Sequence, residues 1–231
     1  MEIRKEIGGT SRFVEQFLTR VYGWMSLGLL FTAATAYWVA STPELVKTLY
    51  TSPAILIGLF LAQIAVVIAL SPAVVRLNYA TAVLLFLGYS LLSGVTLSSV
   101  FLVYTQTSIV STFLVAAGMF GGMSVYGYTT KSDLSGMGSL LLMALWGLIL
   151  SLLVNMWWQN PEFSYLISGA GVLIFTLLTA YDVQKLKRIA QMMGGQGQSV
   201  GQLVVFGALT LYLDFINLFL YLLRFMGQRK K

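Results

Sequence analysis

Residues 77–130 read LNYATAVLLFLGYSLLSGVTLSSVFLVYTQTSIVSTFLVAAGMFGGMSVYGYTT, 54 positions without one charged side chain. A helix needs about 20 mostly apolar residues to cross the hydrocarbon core, so this stretch holds two crossings, with the break at 104–107. The pattern continues on either side: charges are also absent from 21–43, 48–75, 134–161, 163–181 and 189–213. The whole chain has 231 residues, of which 58% are hydrophobic and 10% charged, against about 25% charged in a soluble domain. This is the composition of a multi-pass membrane protein, with connections too short to hold a soluble domain.

Hydropathy and turn signals predict seven helices near 21–40, 53–70, 79–103, 108–128, 138–158, 164–186 and 202–225. Residues 1–20 are expected to form a cytoplasmic tail, and 21–231 a single seven-helix transmembrane domain. The prolines Pro43, Pro53, Pro72 and Pro161 fall at or beside the proposed ends, where a missing N–H does least harm. Tyr22, Trp24, Tyr37, Trp38, Tyr50, Tyr79, Tyr104, Tyr126, Tyr128, Trp157 and Trp158 gather near the same ends, as interfacial aromatic belts do. The basic tail followed by Ala34-Thr35-Ala36 looks superficially like a secretory signal. Its apolar run is longer than a signal's core, and it is read as the first retained helix.

Positively charged loops stay on the cytoplasmic side. With the N-terminus inside, Arg4, Lys5, Arg12, Arg20, Arg76, Lys131, Lys185, Lys187 and Arg188 are all cytoplasmic, and Lys47 stands in an outer loop. Seven crossings then put Arg224, Arg229, Lys230 and Lys231 outside, against the rule. A last segment that dips in and returns is the alternative, but its apolar run is long enough to span.

No cysteine and no histidine occurs. Disulfides, thiol catalysis, cysteine- or histidine-ligated zinc and Ser-His-Asp triads are therefore excluded. A pH response near neutrality would have to come from buried carboxylates, because histidine is its usual carrier. Two aspartates are suited to that task. Asp182 follows Thr179-Ala180-Tyr181 near the cytoplasmic end of the sixth predicted helix, and Asp214 lies about a dozen residues into the seventh, close to mid-membrane. Thr210 and Asn217, at i−4 and i+3 from Asp214, share its face and are expected to support it as a polar stripe turned inward. A carboxylate at that depth needs a partner or a task.

Each of these residues also has a plainer reading. Asp182 could pair with Lys185 at i+3, Asp214 could be a hydrogen-bonded packing group, and Arg76 could be a snorkelling interface residue. Ser90, Gly94 and Ser98, and Gly118 and Gly122, are spaced for close helix contact. Gly194, Gly195, Gly197 and Gly201 make a flexible connector, since no strand precedes them and the nucleotide-binding spacing is missing. If the two carboxylates meet, they cannot both ionise cheaply and they titrate as one unit. A shared proton would then hold their helices together, and its loss, with Arg76 competing for the charge, would part them. Two carboxylates also attract a hard cation by oxygen ligation, but are too few for a tight all-protein Ca²⁺ cage.

Gly94-Val95-Thr96-Leu97-Ser98, the run from Gly127 to Ser135, Ala180-Tyr181-Asp182, and the run from Ala208 to Phe219 together resemble the Bax inhibitor-1 family in its bacterial branch. The likeness covers nearly the whole chain after the tail. It implies a seven-helix bundle with the last helix central, and a pH-dependent Ca²⁺ leak of the bacterial inner membrane. It places the aspartate pair that senses pH, gates, and transiently meets Ca²⁺ on Asp182 and Asp214, with the arginine on Arg76. Some relatives carry an acidic residue in the second helix where this chain has Gln63. A regulator that conducts nothing and docks on a membrane-anchored AAA+ protease is the alternative function.

Two transmembrane aspartates also describe an intramembrane aspartyl protease. Its second aspartate follows a Gly-x-Gly motif, however, and here Leu211-Tyr212-Leu213 precedes Asp214. The expectation is a protein that is not an enzyme, has no catalytic residues and no cofactor, and has the lipid bilayer and the calcium ion, but no nucleic acid, as partners.

Overall fold

The computed structural model describes residues 2–70, 77–193 and 200–230, with side chains from residue 11 onward. Arg76, Gly194, Gly195 and Gly197 lie outside them. The described residues form an all-α protein of eight helices: α1 (Glu2–Ala40), α2 (Pro43–Thr51), α3 (Pro53–Leu70), α4 (Tyr79–Val103), α5 (Gln106–Thr129), α6 (Ser135–Trp158), α7 (Pro161–Met193) and α8 (Val200–Met226). Six of them, α3 to α8, are long and apolar enough to cross a membrane.

The expected seven helices become eight among the described residues, and two segments differ from expectation. The first predicted crossing lies within the longer helix α1, where Gly23, Ser26, Gly28, Thr32 and Thr35 dilute the apolar run and make it less apolar than the six. The expected outer loop at 41–52 instead forms α2, with Pro43 in its first turn and no buried residue. The tail, too, is helical. Val14, Phe17, Leu18, Val21 and Met25 are all buried, and their spacing makes one apolar stripe that continues the helix past the last basic residue.

The chain divides into two compact units. The first comprises residues 1–104, 190–212 and 230, and in it α1 packs chiefly on α4. Close approach depends on two glycines: a β-carbon on Gly28 would strike the Phe86 ring, and one on Gly94 would strike the Thr32 carbonyl and the Thr35 side chain. Thr32 Oγ1 donates to a carbonyl, with Gly28 O and Ser90 O each at 2.9 Å, and accepts from the Tyr212 hydroxyl at 2.7 Å. Phe86 and Tyr89 meet the Tyr212 ring edge-on, at 5.9 and 5.8 Å between centroids. Gln63 Nε2 donates to Leu92 O at 3.1 Å and Thr96 Oγ1 at 2.9 Å, tying α3 to α4.

The second unit comprises residues 105–189, 213–229 and 231. Phe215 on α8 packs edge-on against Phe113 and Phe120 of α5, with centroids 5.3 and 5.5 Å apart, and Tyr221 stacks on Phe175 of α7 at 5.6 Å. Helix α5 meets α7 at Gly127, where a β-carbon would overlap the backbone of Ala180. Gly118 and Gly122, expected to serve close contact, have open space where a β-carbon would stand. The glycine that packs α5 is Gly127. Helix α8 is the most buried of the six, with 61% of its most apolar window inside the protein against 6% for α3.

Gly127→Ala is therefore expected to destabilise by about 1–3 kcal/mol, since backbone must shift. Gly118→Ala is expected to be neutral or to gain up to about 1 kcal/mol of helix propensity. Thermal unfolding of the two variants in the same detergent compares them. Tyr212→Phe removes the hydroxyl that donates to Thr32 and is expected to cost about 0.5–1.5 kcal/mol, read as a lowered Tm.

Candidate functional site

The site is built on α7 from Thr179 onward, within the second unit. The Thr179 hydroxyl is satisfied by Phe175 O at 2.8 Å, which leaves it no lone hydrogen to offer elsewhere. Ala180 lies against Gly127 of α5, and Tyr181 against Gly138 of α6, where a β-carbon would sit 2.5 Å from the tyrosine oxygen. Asp182 then turns to α8. Three successive residues thus fit α7 to three neighbours, as a helix with about 100° between successive side chains allows.

One turn further on, α7 clasps the α5–α6 connection. Gln184 Oε1 accepts from Leu134 N at 2.9 Å and from Arg188 Nη2 at 2.8 Å, while Gln184 Nε2 donates to Ser132 O at 2.9 Å. Lys187 Nζ donates to Tyr128 O at 2.7 Å. Arg188 forms an ion pair with Asp133. That guanidinium, helped by the Ser135 N–H, holds the Asp133 carboxyl well below the usual carboxylate range, so Asp133 stays ionised and cannot serve as a proton switch near neutrality. Sequence reasoning missed this clasp. Its signal was present in Gln184 and Arg188 at i and i+4, but their partners lie some 50 positions away.

Asp182 is 9% exposed and Asp214 is 5% exposed. Their carboxyls lie within hydrogen-bonding reach of each other. Two ionised carboxylates have no hydrogen to give, so a bond between them needs a proton. The second oxygen of Asp214, Oδ2, is fully buried and has no hydrogen-bond partner among the described residues. Among the described residues, Lys185 is the positive charge that acts on both carboxyls. It forms no ion pair with Asp182 among the described residues, and its ammonium lies 5.8 Å from the Tyr181 ring centroid.

The other sequence candidates are placed differently. Asn217 Nδ2 donates to Leu213 O of its own helix at 2.8 Å, and Thr210 Oγ1 donates to Phe206 O at 3.0 Å. These groups are engaged by their own backbone. Arg76 lies outside the described residues. Among the described residues no three acidic, histidine or cysteine side chains gather as a metal cage, so the site consists of two facing carboxyls, one of them with an oxygen left over.

Comparison with known proteins extends the picture over almost the full length. Residues 14–231 match the family model described as "Inhibitor of apoptosis-promoting Bax1". The chain is 49% identical to the inner membrane protein YbhL of Escherichia coli, over 94% of this chain and 93% of the relative. It is 48% identical to a Borreliella burgdorferi protein over 93% of each chain, and 37% identical to a Streptococcus pyogenes membrane protein over 93% of each. With six helices among the described residues long and apolar enough to cross a membrane, and a family match over residues 14–231, the chain belongs to the Bax inhibitor-1 family.

Proposed function

We propose that this protein is a pH-sensitive cation leak of a bacterial inner membrane, with Ca²⁺ as the transported ion and the Asp182–Asp214 pair as its gate. The observation that carries the reading is the meeting of two buried carboxyls on different helices, with Asp214 Oδ2 left without a partner among the described residues. With one proton between them, the pair bridges α7 and α8. Without it, two like charges face each other in a poorly screened setting and repel. The helices part, and the same oxygens become ligands for a hard cation. Opening therefore follows loss of the proton, and flux rises with pH.

Two carboxylates bind such an ion weakly, which favours passage over storage. Arg76, by its position in the sequence and the family resemblance, supplies the charge that competes for the freed carboxylate. The N-terminus is cytoplasmic in this reading, in which α1 crosses as well as the six most apolar helices, so that Lys and Arg crowd into alternate connections, and the name of the Escherichia coli relative supports the inner membrane. No catalysis is assigned. Helix α8 runs unbroken through Leu211, Tyr212 and Leu213, whereas an aspartyl protease has a flexible glycine motif there.

The test is Ca²⁺ flux into liposomes carrying the purified protein, over about pH 5 to 8, for wild type, Asp182→Asn and Asp214→Asn. Wild-type flux is expected to climb with pH, and both variants are expected to lose the pH dependence, because asparagine cannot release the proton. Unchanged profiles in both variants would sink the gate. Absence of flux in every protein, with a membrane-anchored AAA+ protease recovered in pull-down, would favour the non-conducting regulator.

A further inference from the structure

At the other end of α7 from Asp182, within the second unit, a cavity of about 760 Å³ opens where α6 ends, α7 begins and α8 ends. Its polar lining comes from Arg224, Arg229, Asn155, Ser164, Ser168 and Tyr165. That volume suits a small-molecule or headgroup site. The two guanidiniums have no ion-pair or hydrogen-bond partner among the described residues. The nearest carboxylate on α7, Glu162, faces an adjoining groove with Tyr165 and Leu166 instead.

The arginines are held in place. Gln228 N donates to Ser108 Oγ at 2.8 Å and Gln228 O accepts from Thr105 N at 3.1 Å, which fixes the backbone just before Arg229. Tyr165 stacks on Phe225, the residue after Arg224, with centroids 4.4 Å apart. The first amides of α7 are spent on Asn160 Oδ1, which accepts from Glu162 N and Phe163 N. The anion-binding capacity therefore rests on the guanidiniums.

Two further observations define the ligand. Asn155 Oδ1, on the cavity wall, is buried and has no partner among the described residues, which points to a ligand that brings a donor as well as a negative charge. Trp157 and Trp158, just beyond it on α6, are 85% and 66% exposed, which sets this end of the protein at headgroup level, where exposed tryptophans reside. Leu152 and Met156 continue the wall on α6 and give an acyl chain an apolar surface.

We propose that this cavity binds the headgroup of an anionic phospholipid that carries hydroxyls, of the phosphatidylglycerol type. The phosphodiester is held by Arg224 and Arg229 through charge-assisted hydrogen bonds, and a headgroup hydroxyl donates to Asn155 Oδ1. Ser164 is placed to meet a phosphate oxygen, while the Ser168 hydroxyl is already engaged with Ser164 O at 2.8 Å. Such a site also gives basic residues at this end of the molecule a partner within the membrane. It lies about 20 Å along α7 from Asp182, counting from Ser168, and is independent of the proposed gate.

The experiment uses full-length, delipidated protein in detergent, offered phosphatidylglycerol and phosphatidylcholine of the same chains, with bound lipid read by native mass spectrometry. The expected result is a preference for phosphatidylglycerol of about tenfold, falling to near parity in Arg229→Gln and Arg224→Gln. Arg229 is exposed on the terminal segment, so its variant folds even where Arg224→Gln does not. Asn155→Leu is expected to keep binding to phosphatidic acid, which lacks the headgroup glycerol and its hydroxyls, while losing the advantage of phosphatidylglycerol over it. Equal binding of phosphatidylglycerol and phosphatidylcholine by wild type would overturn the proposal, as would an undiminished preference in Arg229→Gln. Displacement of the lipid by inorganic phosphate at equal concentration would also overturn it, by making the cavity a site for free anions.

Discussion

Bringing two carboxyls together in the low-dielectric part of a membrane protein is the constraint on which the second unit depends. Asp182 and Asp214 can be neighbours only if a proton, a cation or separation relieves their repulsion. The packing around them is accordingly tight where it fixes α7 and spare where it would compete for the charge. Ala180 and Tyr181 are seated against glycines of α5 and α6. Gln184, Lys187 and Arg188 tie the next turn of α7 to the α5–α6 connection. Within that clasp Arg188 and Asp133 neutralise each other, while Lys185 acts on both buried carboxyls.

Much of this was legible in the sequence, for an identifiable reason. A charge in an apolar run is visible one residue at a time, since its cost is set by depth alone, and both aspartates stand out in that way. Most helix boundaries were visible because prolines and interfacial aromatics mark them locally; the end of α7, expected at 186 and found at Met193, has no such marker. The tail and α2 escaped because their signals are amphipathic and not apolar. Val14, Phe17, Leu18 and Val21 make a helical stripe among charged neighbours, and α2 is a short surface helix with no buried residue. A reading tuned to uninterrupted hydrophobicity passes over both. Contacts between distant segments, such as Gln184 with Ser132 and Leu134, leave no trace in spacing.

The small residues show the same limit. Glycines four apart permit close approach, but the pattern does not say which glycine is used. Gly118 and Gly122 face open space, whereas Gly127, outside that spacing, meets the backbone of α7. What distinguishes Gly127 is its partner: Ala180 has to lie close if Asp182, two residues later, is to be held toward α8. The choice is dictated by the far side of the contact, and one chain segment read alone does not contain it.

The expected polar stripe beside Asp214 bears on how the pair can handle an ion. Thr210 and Asn217 share its helical face, yet each donates to a carbonyl of its own helix, as Thr176 and Thr179 do on α7. Such back-bonding satisfies a polar side chain without a second helix, which is the economical solution where water is absent. It keeps one hydrogen of each group turned toward the backbone, and leaves the oxygens of Thr210 and Asn217 able to accept. The oxygens that face each other are those of the two carboxyls, and among the described residues Asp214 Oδ2 has no hydrogen-bond partner. A divalent cation settling there would find at most four carboxylate oxygens against the six to eight that hold Ca²⁺ firmly, so it would have to keep part of its water and leave readily. The same scarcity of ligands that makes the site a poor store is what a leak requires.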